Sequence, residues 1–380
     1  MYTKRLPAEW EPQSFVQIAW PHADTDWNPY LQSAVECYRN VAREVSLRED
    51  LIIVTPEPES VREILNDTPG VMMDRIHILE VPTNDTWARD HAFLTLVGES
   101  GMEGIEDKED KGDKGDKEDK GDKGDKGGKI LSDFCFNGWG QKFASNFDNR
   151  INEHTFEWLS QNLKGEVSYA DNRRIVLEGG SVESDGCGTL LTTTSCLMAP
   201  NRNYYETKAE AEEMLRRTLN AKHILWLDNS WLDGDDTDGH IDTVARLCPN
   251  DTIVYVQCTD PEDEHFGTLS AMERELMALR TIDGRPFRLI PVPLPDPVIE
   301  GNFAYFVEEE REQRLPATYA NFLIVNGAVL MPTYGQPAKD RQAMEALQDA
   351  FPDREIVGID CQVLVRQHGS LHCITMQYPA

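Results

Sequence analysis

The chain has 380 residues, 40% of them hydrophobic and 27% charged, with a formal net charge of −30. That length suits one large domain or two ordinary ones, and the composition is that of a globular protein with an ample core. The charge argues against nucleic acid and anionic membrane surfaces as partners, since both are held by clustered Lys and Arg; it is compatible with a cationic ligand.

The N-terminal "MYTKRLPAEWEPQ" carries two basic residues but no apolar stretch, so it does not read as a secretory signal. No run approaches the roughly 18 apolar residues of a membrane span. The eight cysteines, Cys37, Cys135, Cys187, Cys196, Cys248, Cys258, Cys361 and Cys373, are scattered without a C-x-x-C pair. They point to reduced thiols in the cytoplasm rather than a disulfide framework or a zinc site.

"NPYLQSAVECYRNVAREVS" (28–46) predicts an amphipathic helix. In "NDTWARDHAFLTL" (84–96), Trp87, Arg89 and Asp90 precede a strand over 92–97. Residues 106–129 hold ten acids, eight lysines and no apolar residue. Such a tract cannot offset its ordering entropy by burial and is expected to be disordered. Its partial glycine period lacks proline and breaks at Glu118, which excludes collagen. It reads as an insertion, bounded at 101–129, at the tip of a hairpin whose second strand is 130–136.

"IVLEGGSVESDGCGTLLTT" predicts a hairpin turning at Asp185-Gly186; Glu178 sits before two glycines that permit close backbone approach by a ligand. "TKAEAEEMLRRTLN" (207–220) predicts a helix capped by Thr207. The acid-rich "LDGDDTDGHIDTVARL" (232–247) lacks the closing Glu of an EF-hand. His240 and Asp242, two apart, would share one face of a strand. A metal site from His240, Asp242 and His372 would need further ligands. Hairpins follow at Pro249-Asn250-Asp251 and at Asn326-Gly327, then a helix over 337–351. "CQVLVRQHGSLHCITMQ" predicts a fifth pair of strands around Gly369, with His368 as a surface histidine. Cys373 is either a small buried hydrophobe on that last strand or a nucleophile.

Five units of hairpin plus helix predict a single α/β domain over 1–380, a ring of repeats whose strand ends converge near an axis. Polar residues at those ends would then face one another. The ordered set "PAEWEPQSFVQIAWP", "NDTWARD", "LEGGSVESDGCGTLLTT", "DGHID", "LPATYANFLIVNGAVLMPTYG" and "GSLHCITMQ" resembles the agmatine deiminase and Porphyromonas-type peptidyl-arginine deiminase family of the guanidino-modifying superfamily. The resemblance runs from about residue 7 to the end, with the charged insert outside it.

The resemblance implies a five-bladed α/β propeller, the pentein fold, and a hydrolase acting on C–N bonds of linear amidines. It implies Cys373 as nucleophile, His240 as general acid/base, Asp90 and Asp242 as the carboxylates that hold a guanidinium, and Glu178 as an acid touching substrate and histidine. Trp87 is expected to line the substrate channel, with Arg89, Gly369 and Ser370 also near the substrate. No metal or organic cofactor is implied. The expected partner is a small cationic guanidino compound, agmatine, on a route to putrescine and polyamines; arginine or peptidyl-arginine deimination, and a guanidino-binding module without catalysis, are the alternatives. Monomer and homo-oligomer both stay open.

Overall fold

A computed structural model describes residues 4–98, 128–299 and 313–380. The charged tract therefore lies outside the described residues, except at its end: Lys129 is the first residue of strand Lys129–Cys135, so the insert stops short of it.

The described strands form five separate sheets. Four follow one local rule: an antiparallel hairpin, a crossover containing a helix, then a parallel third strand. Leu94–Gly98 and Lys129–Cys135 pair antiparallel, and Val167–Val176 joins in parallel. Val182–Ser184 and Thr189–Thr193 do the same with His223–Leu227. Ala245–Cys248 and Thr252–Gln257 take Arg288–Pro293 as their third strand, and Leu323–Val325 and Ala328–Thr333 take Glu355–Asp360. The register Val325↔Ala328 leaves Asn326-Gly327 as a two-residue turn, with Gly327 at φ +78° in the left-handed region.

The fifth pair differs from the sequence expectation. Residues 361–371 form no strand; Leu364 and Val365 are buried in a short 3-10 turn. The last strand, Thr375–Pro379, pairs instead with Gln13–Ala19, near the other end of the chain. Asp50–Thr55 and Ile76–Glu80 then add in parallel. A local hairpin was the natural inference from adjacent β-rich runs, because sequence proximity carries no information about a partner some 360 positions away.

Helices cover the sheets. Lys208–Leu219 starts on a reciprocal cap between Thr207 and Glu210 and ends at Asn220, φ +56°. It buries Ala211, Met214, Leu215, Thr218 and Leu219, one face at helical spacing. Leu31–Ser46 and Pro337–Ala350 bury similar faces, and Gly138–Gln141 is a tight turn carrying Trp139 in the left-handed region at φ +53°. Among the described residues no helix is long and apolar enough to cross a membrane.

Candidate active site

Four chain segments place polar side chains in one buried region. His240 and Asp242 do not lie on a strand; they flank Ile241 in a 3-10 turn, Ile241–Thr243, and both are fully buried. The tight turn, rather than strand alternation, brings them to one place. Asp90 sits in the helical turn Ala88–His91. Glu178 follows Val167–Val176 and is fully buried. Cys373 precedes the last strand and is 5% exposed.

Gly180 stands at the centre. A Cβ there would lie 2.6 Å from His240 Nδ1, 3.0 Å from Asp90 Oδ1 and 3.1 Å from Asp242 Oδ2, so no side chain fits. Its N–H donates to Asp90 Oδ1 at 3.0 Å, and Trp139 Nε1 donates to Asp90 Oδ2 at 2.9 Å. His240 Nδ1 lies 3.7 Å from Asp90 Oδ1. Neither ring nitrogen of His240, nor Asp242 Oδ1, has a hydrogen-bond partner among the described residues. Buried polar atoms left bare in this way mark a place where a ligand is expected.

Cys373 Sγ lies 3.9 Å from Asp242 Oδ2. Asn321 brackets the Cys373 loop: its Nδ2 donates to Cys373 Sγ at 3.3 Å, and its Oδ1 accepts from the His372 N–H at 2.9 Å and the Cys373 N–H at 3.3 Å. Glu178 is gripped through both oxygens by Arg202 Nε at 3.0 and 3.1 Å, and Arg202 also donates to Asp238 Oδ2 at 2.7 Å.

The charges are set by this packing. Burial pushes Asp90 up to about 6, with Asp242 and Glu178 adding to it and His240 and Trp139 opposing. Burial opposes charge on His240, but Asp90, Cys196 and Glu178 hold it well above the usual histidine range. Asp242 stays below the carboxylate range: His372, His240 and Arg246 overcome its burial. The Cys373 thiol is pushed well up by burial and by Asp242 and Asp90, only partly relieved by the Ser370 backbone and Asn321. These shifts favour the cationic form of the histidine and the protonated form of the thiol.

A cavity of about 280 Å³ opens onto Cys373 and Asp90. Trp87, Trp139, Phe143 and Tyr30 form its walls; Asp26, Asp85, Asp236, Arg366 and His368 stand along it. Gly369 is part of the wall because a Cβ there would come within 2.1 Å of the Trp87 ring. A larger cleft of about 500 Å³ near Cys258 and Asp263 lies elsewhere, and its Arg314 is already paired with Asp263 and Glu264.

Two expected substrate contacts point away from this cavity. Arg89 is buried on the other side of the Cys373 loop, donating to Glu9 at 2.8 Å and to Gln377, while its backbone N–H donates to the Cys373 carbonyl at 3.1 Å. Ser370 is buried against Tyr334, Oγ to Oη 2.9 Å. Sequence reasoning passed over Trp139, Asn321, Arg202 and Arg366. Only Trp139 had a local signal, its place between two glycines; the others become meaningful through partners far along the chain. Among the described residues, two groups hold three metal-type ligand atoms within 4.8 Å of one another, Glu178/Cys196/His240 and Glu9/Glu183/His372. In each an arginine, Arg202 or Arg246, already occupies the carboxylates.

The family model for Porphyromonas-type peptidyl-arginine deiminase matches residues 5–379. The agmatine deiminase of Pseudomonas aeruginosa (strain LESB58) is 30% identical over 393 residues, covering 99% of this chain and 95% of that one. Among solved structures, a Porphyromonas gingivalis protein provisionally named an arginine deiminase is 42% identical, with TM-score 0.83 and 99% and 98% of the two chains covered. A cysteine-to-serine variant of the C. jejuni agmatine deiminase with substrate bound is 32% identical, with TM-score 0.81 and 100% and 97% covered.

Proposed function

The chain belongs to the Porphyromonas-type peptidyl-arginine deiminase family, and from that premise we propose that it hydrolyses agmatine to N-carbamoylputrescine and ammonia through a covalent adduct on Cys373. We further propose that its five sheet units stand round one axis as a five-bladed α/β propeller, and that it acts in the cytoplasm.

The arrangement that carries this reading is the bare set around Gly180: Asp242 Oδ1 and both His240 nitrogens, buried and unpartnered among the described residues, beside a thiol. A guanidinium is planar, and two carboxylates can each take paired N–H bonds from it. Asp90 and Asp242 hold that plane and leave its carbon open to Cys373. The incoming cation offsets the two acids that keep the thiol protonated, so substrate binding itself favours the thiolate. Sulfur attacks the guanidinium carbon as its proton is lost to solvent, and cationic His240 gives its own proton to the departing nitrogen, which leaves as ammonia. A cationic thiouronium remains on Cys373. Neutral His240 then takes a proton from water; the water oxygen bonds to the carbon, the C–S bond breaks as the second water proton passes to sulfur, and the ureido product leaves with the thiol and the histidine cation restored. Glu178, held by Arg202, sustains the charge on His240. The aromatic walls suit an alkyl chain, and Asp26, Asp85 and Asp236 suit its terminal ammonium.

A second reading has its own observation. Free arginine needs a cation for its α-carboxylate, and Arg366, laid 4.0 Å over the Tyr30 ring, stands along the same cavity. Ammonia release from agmatine, arginine and a blocked arginyl peptide, with wild type and Cys373→Ala, separates these. Selective turnover of agmatine, lost in the variant, is the expected result. Faster turnover of arginine at equal low concentration, cut by Arg366→Ala, replaces the substrate and keeps the chemistry. Turnover by Cys373→Ala overturns the mechanism.

A further inference from the structure

His372, the neighbour of the nucleophile, has no part in the scheme above, yet its ring is buried between two carboxylates. Nδ1 lies 2.7 Å from Asp242 Oδ2, and Nε2 lies 2.8 Å from Glu9 Oε1. Arg246 reaches the same Nε2 at 3.0 Å and donates to Glu9 Oε2 at 2.5 Å. Arg89 and Gln377 complete the surroundings of Glu9, at 2.8 and 3.1 Å, and Glu183 takes the other side of Arg246. Glu9 comes from the opposite end of the chain.

An ionised carboxylate only accepts, so Nδ1 must carry the hydrogen facing Asp242. Nε2 is served in either ring state: Arg246 donates to it when it is bare, and Glu9 accepts from it when it is protonated. A flipped ring would turn carbon toward both carboxylates. The ring orientation is therefore determined from behind, by groups that never meet the substrate cavity. Asp242 is left with Oδ2 engaged and Oδ1 bare.

We infer that His372, steadied by Glu9 and Arg246, is a positioning residue that pins Asp242 through Oδ2 and so presents an ionised Oδ1 to the substrate guanidinium. This rests on the deiminase reading, in which Asp242 holds that group. Outer partners of this kind orient the groups that do the binding.

The test uses His372→Ala, His372→Gln and His372→Asn in the full-length enzyme. Asn carries an amide N–H close to where Nδ1 stood; Gln carries it nearer the Nε2 position. The Ala and Gln variants should raise KM for agmatine about tenfold or more with a smaller change in kcat, and steepen the acid limb of kcat/KM as the pKa of Asp242 rises toward that of Asp90. Asn should recover both to within roughly threefold of wild type. Glu9→Gln, which keeps the shape and removes a charge, should raise KM by about threefold and supplies the answer if His372→Ala does not fold. Active wild type with unchanged KM and pH limb in His372→Ala, or Asn no better than Ala, overturns the positioning role alone. Wild type silent on agmatine, arginine and arginyl peptide overturns the deiminase reading, and with it the ligand for which Asp242 is pinned.

Discussion

Two clusters of buried charge, carboxylates with a histidine on one side and carboxylates with arginines on the other, flank the Cys373 loop and are finished differently. In front, Asp90, Asp242 and His240 leave a carboxylate oxygen and two ring nitrogens bare. Behind, Glu9, Glu183, Arg89 and Arg246 pair with one another until no side-chain oxygen or nitrogen of theirs is buried without a partner. The rear cluster neutralises itself and needs nothing from outside. The front cluster holds unmet hydrogen-bonding capacity, which under the proposed function a planar cation fills. Asp242 belongs to both, one oxygen on each side.

The largest expected effect tests the rear cluster as structure. Arg246 is fully buried, with Glu183 on Nε, Glu9 on one terminal nitrogen and the Phe322 carbonyl at 2.6 Å on the other. Arg246→Met strands the Glu183 carboxylate in the interior and leaves Glu9 with Arg89 as its one arginine, at a cost of about 3–5 kcal/mol. Thermal unfolding should show a drop on the order of 10 °C. Adding Glu183→Gln should recover part of it. A variant that melts within 2 °C or so of wild type would mean that the two clusters do not differ as described.

How much of this was legible in the sequence follows from the range of the interactions. The four local hairpins could be read because turn chemistry and β-rich runs are neighbours in the chain. The end-to-end pairing of Thr375–Pro379 with Gln13–Ala19 could not. The residues of the front cluster stood out as polar groups beside glycines or at the edges of apolar runs: Glu178 before two glycines, His240 and Asp242 before a β run. The rear cluster left no such mark. Arg89 reads identically whether it faces a substrate or Glu9, and only its partners in the fold decide.

A smaller effect probes the front cluster through its charge. Under the proposed function Asp90 must be ionised to hold a guanidinium, and burial first of all pushes its pKa up to about 6. kcat/KM for the substrate should therefore fall about tenfold per pH unit below about 6. Trp139→Phe removes the donor at Asp90 Oδ2, which favours the charged form, so the limb should move up by roughly half to one unit. A profile flat to pH 5, or unmoved by Trp139→Phe, would separate Asp90 from guanidinium binding.

Glu49 asks whether a bare buried oxygen always signals a ligand. Its Oε1 is unpartnered among the described residues, yet it borders neither the substrate cavity nor the larger cleft. With nothing to bind there, the cost should appear as stability. Burial raises its pKa from 4.5 to about 7, so its folded form holds the proton more tightly than the unfolded chain does. The resulting stabilisation is fully present below about 4.5 and is lost as pH rises through about 7. Glu49→Gln should leave the melting temperature unchanged at pH 4.5 and raise it by roughly 3–6 °C at pH 8.5. Equal melting at both pH values would show that some group outside the described residues satisfies Oε1.

The smallest expected effect lies in the tract that belongs to neither cluster. Between Glu106 and Gly127 there is no apolar residue to bury, and ten acids are interspersed with seven lysines so that no long run of one sign forms. The strands on either side are already in register, Val97 opposite Lys129, with the Gly98 N–H donating to the Gly128 carbonyl at 3.2 Å. The hairpin is therefore closed below the insert. Deleting residues 106–127 shortens the connection about fourfold, which lowers its closure cost by about 1 kcal/mol. Ammonia release should be unchanged and the melting temperature should hold or rise by roughly 2 °C. A fall in melting temperature would place a stabilising contact in the tract, and a fall in activity alone would tie it to the front cluster from which its composition separates it.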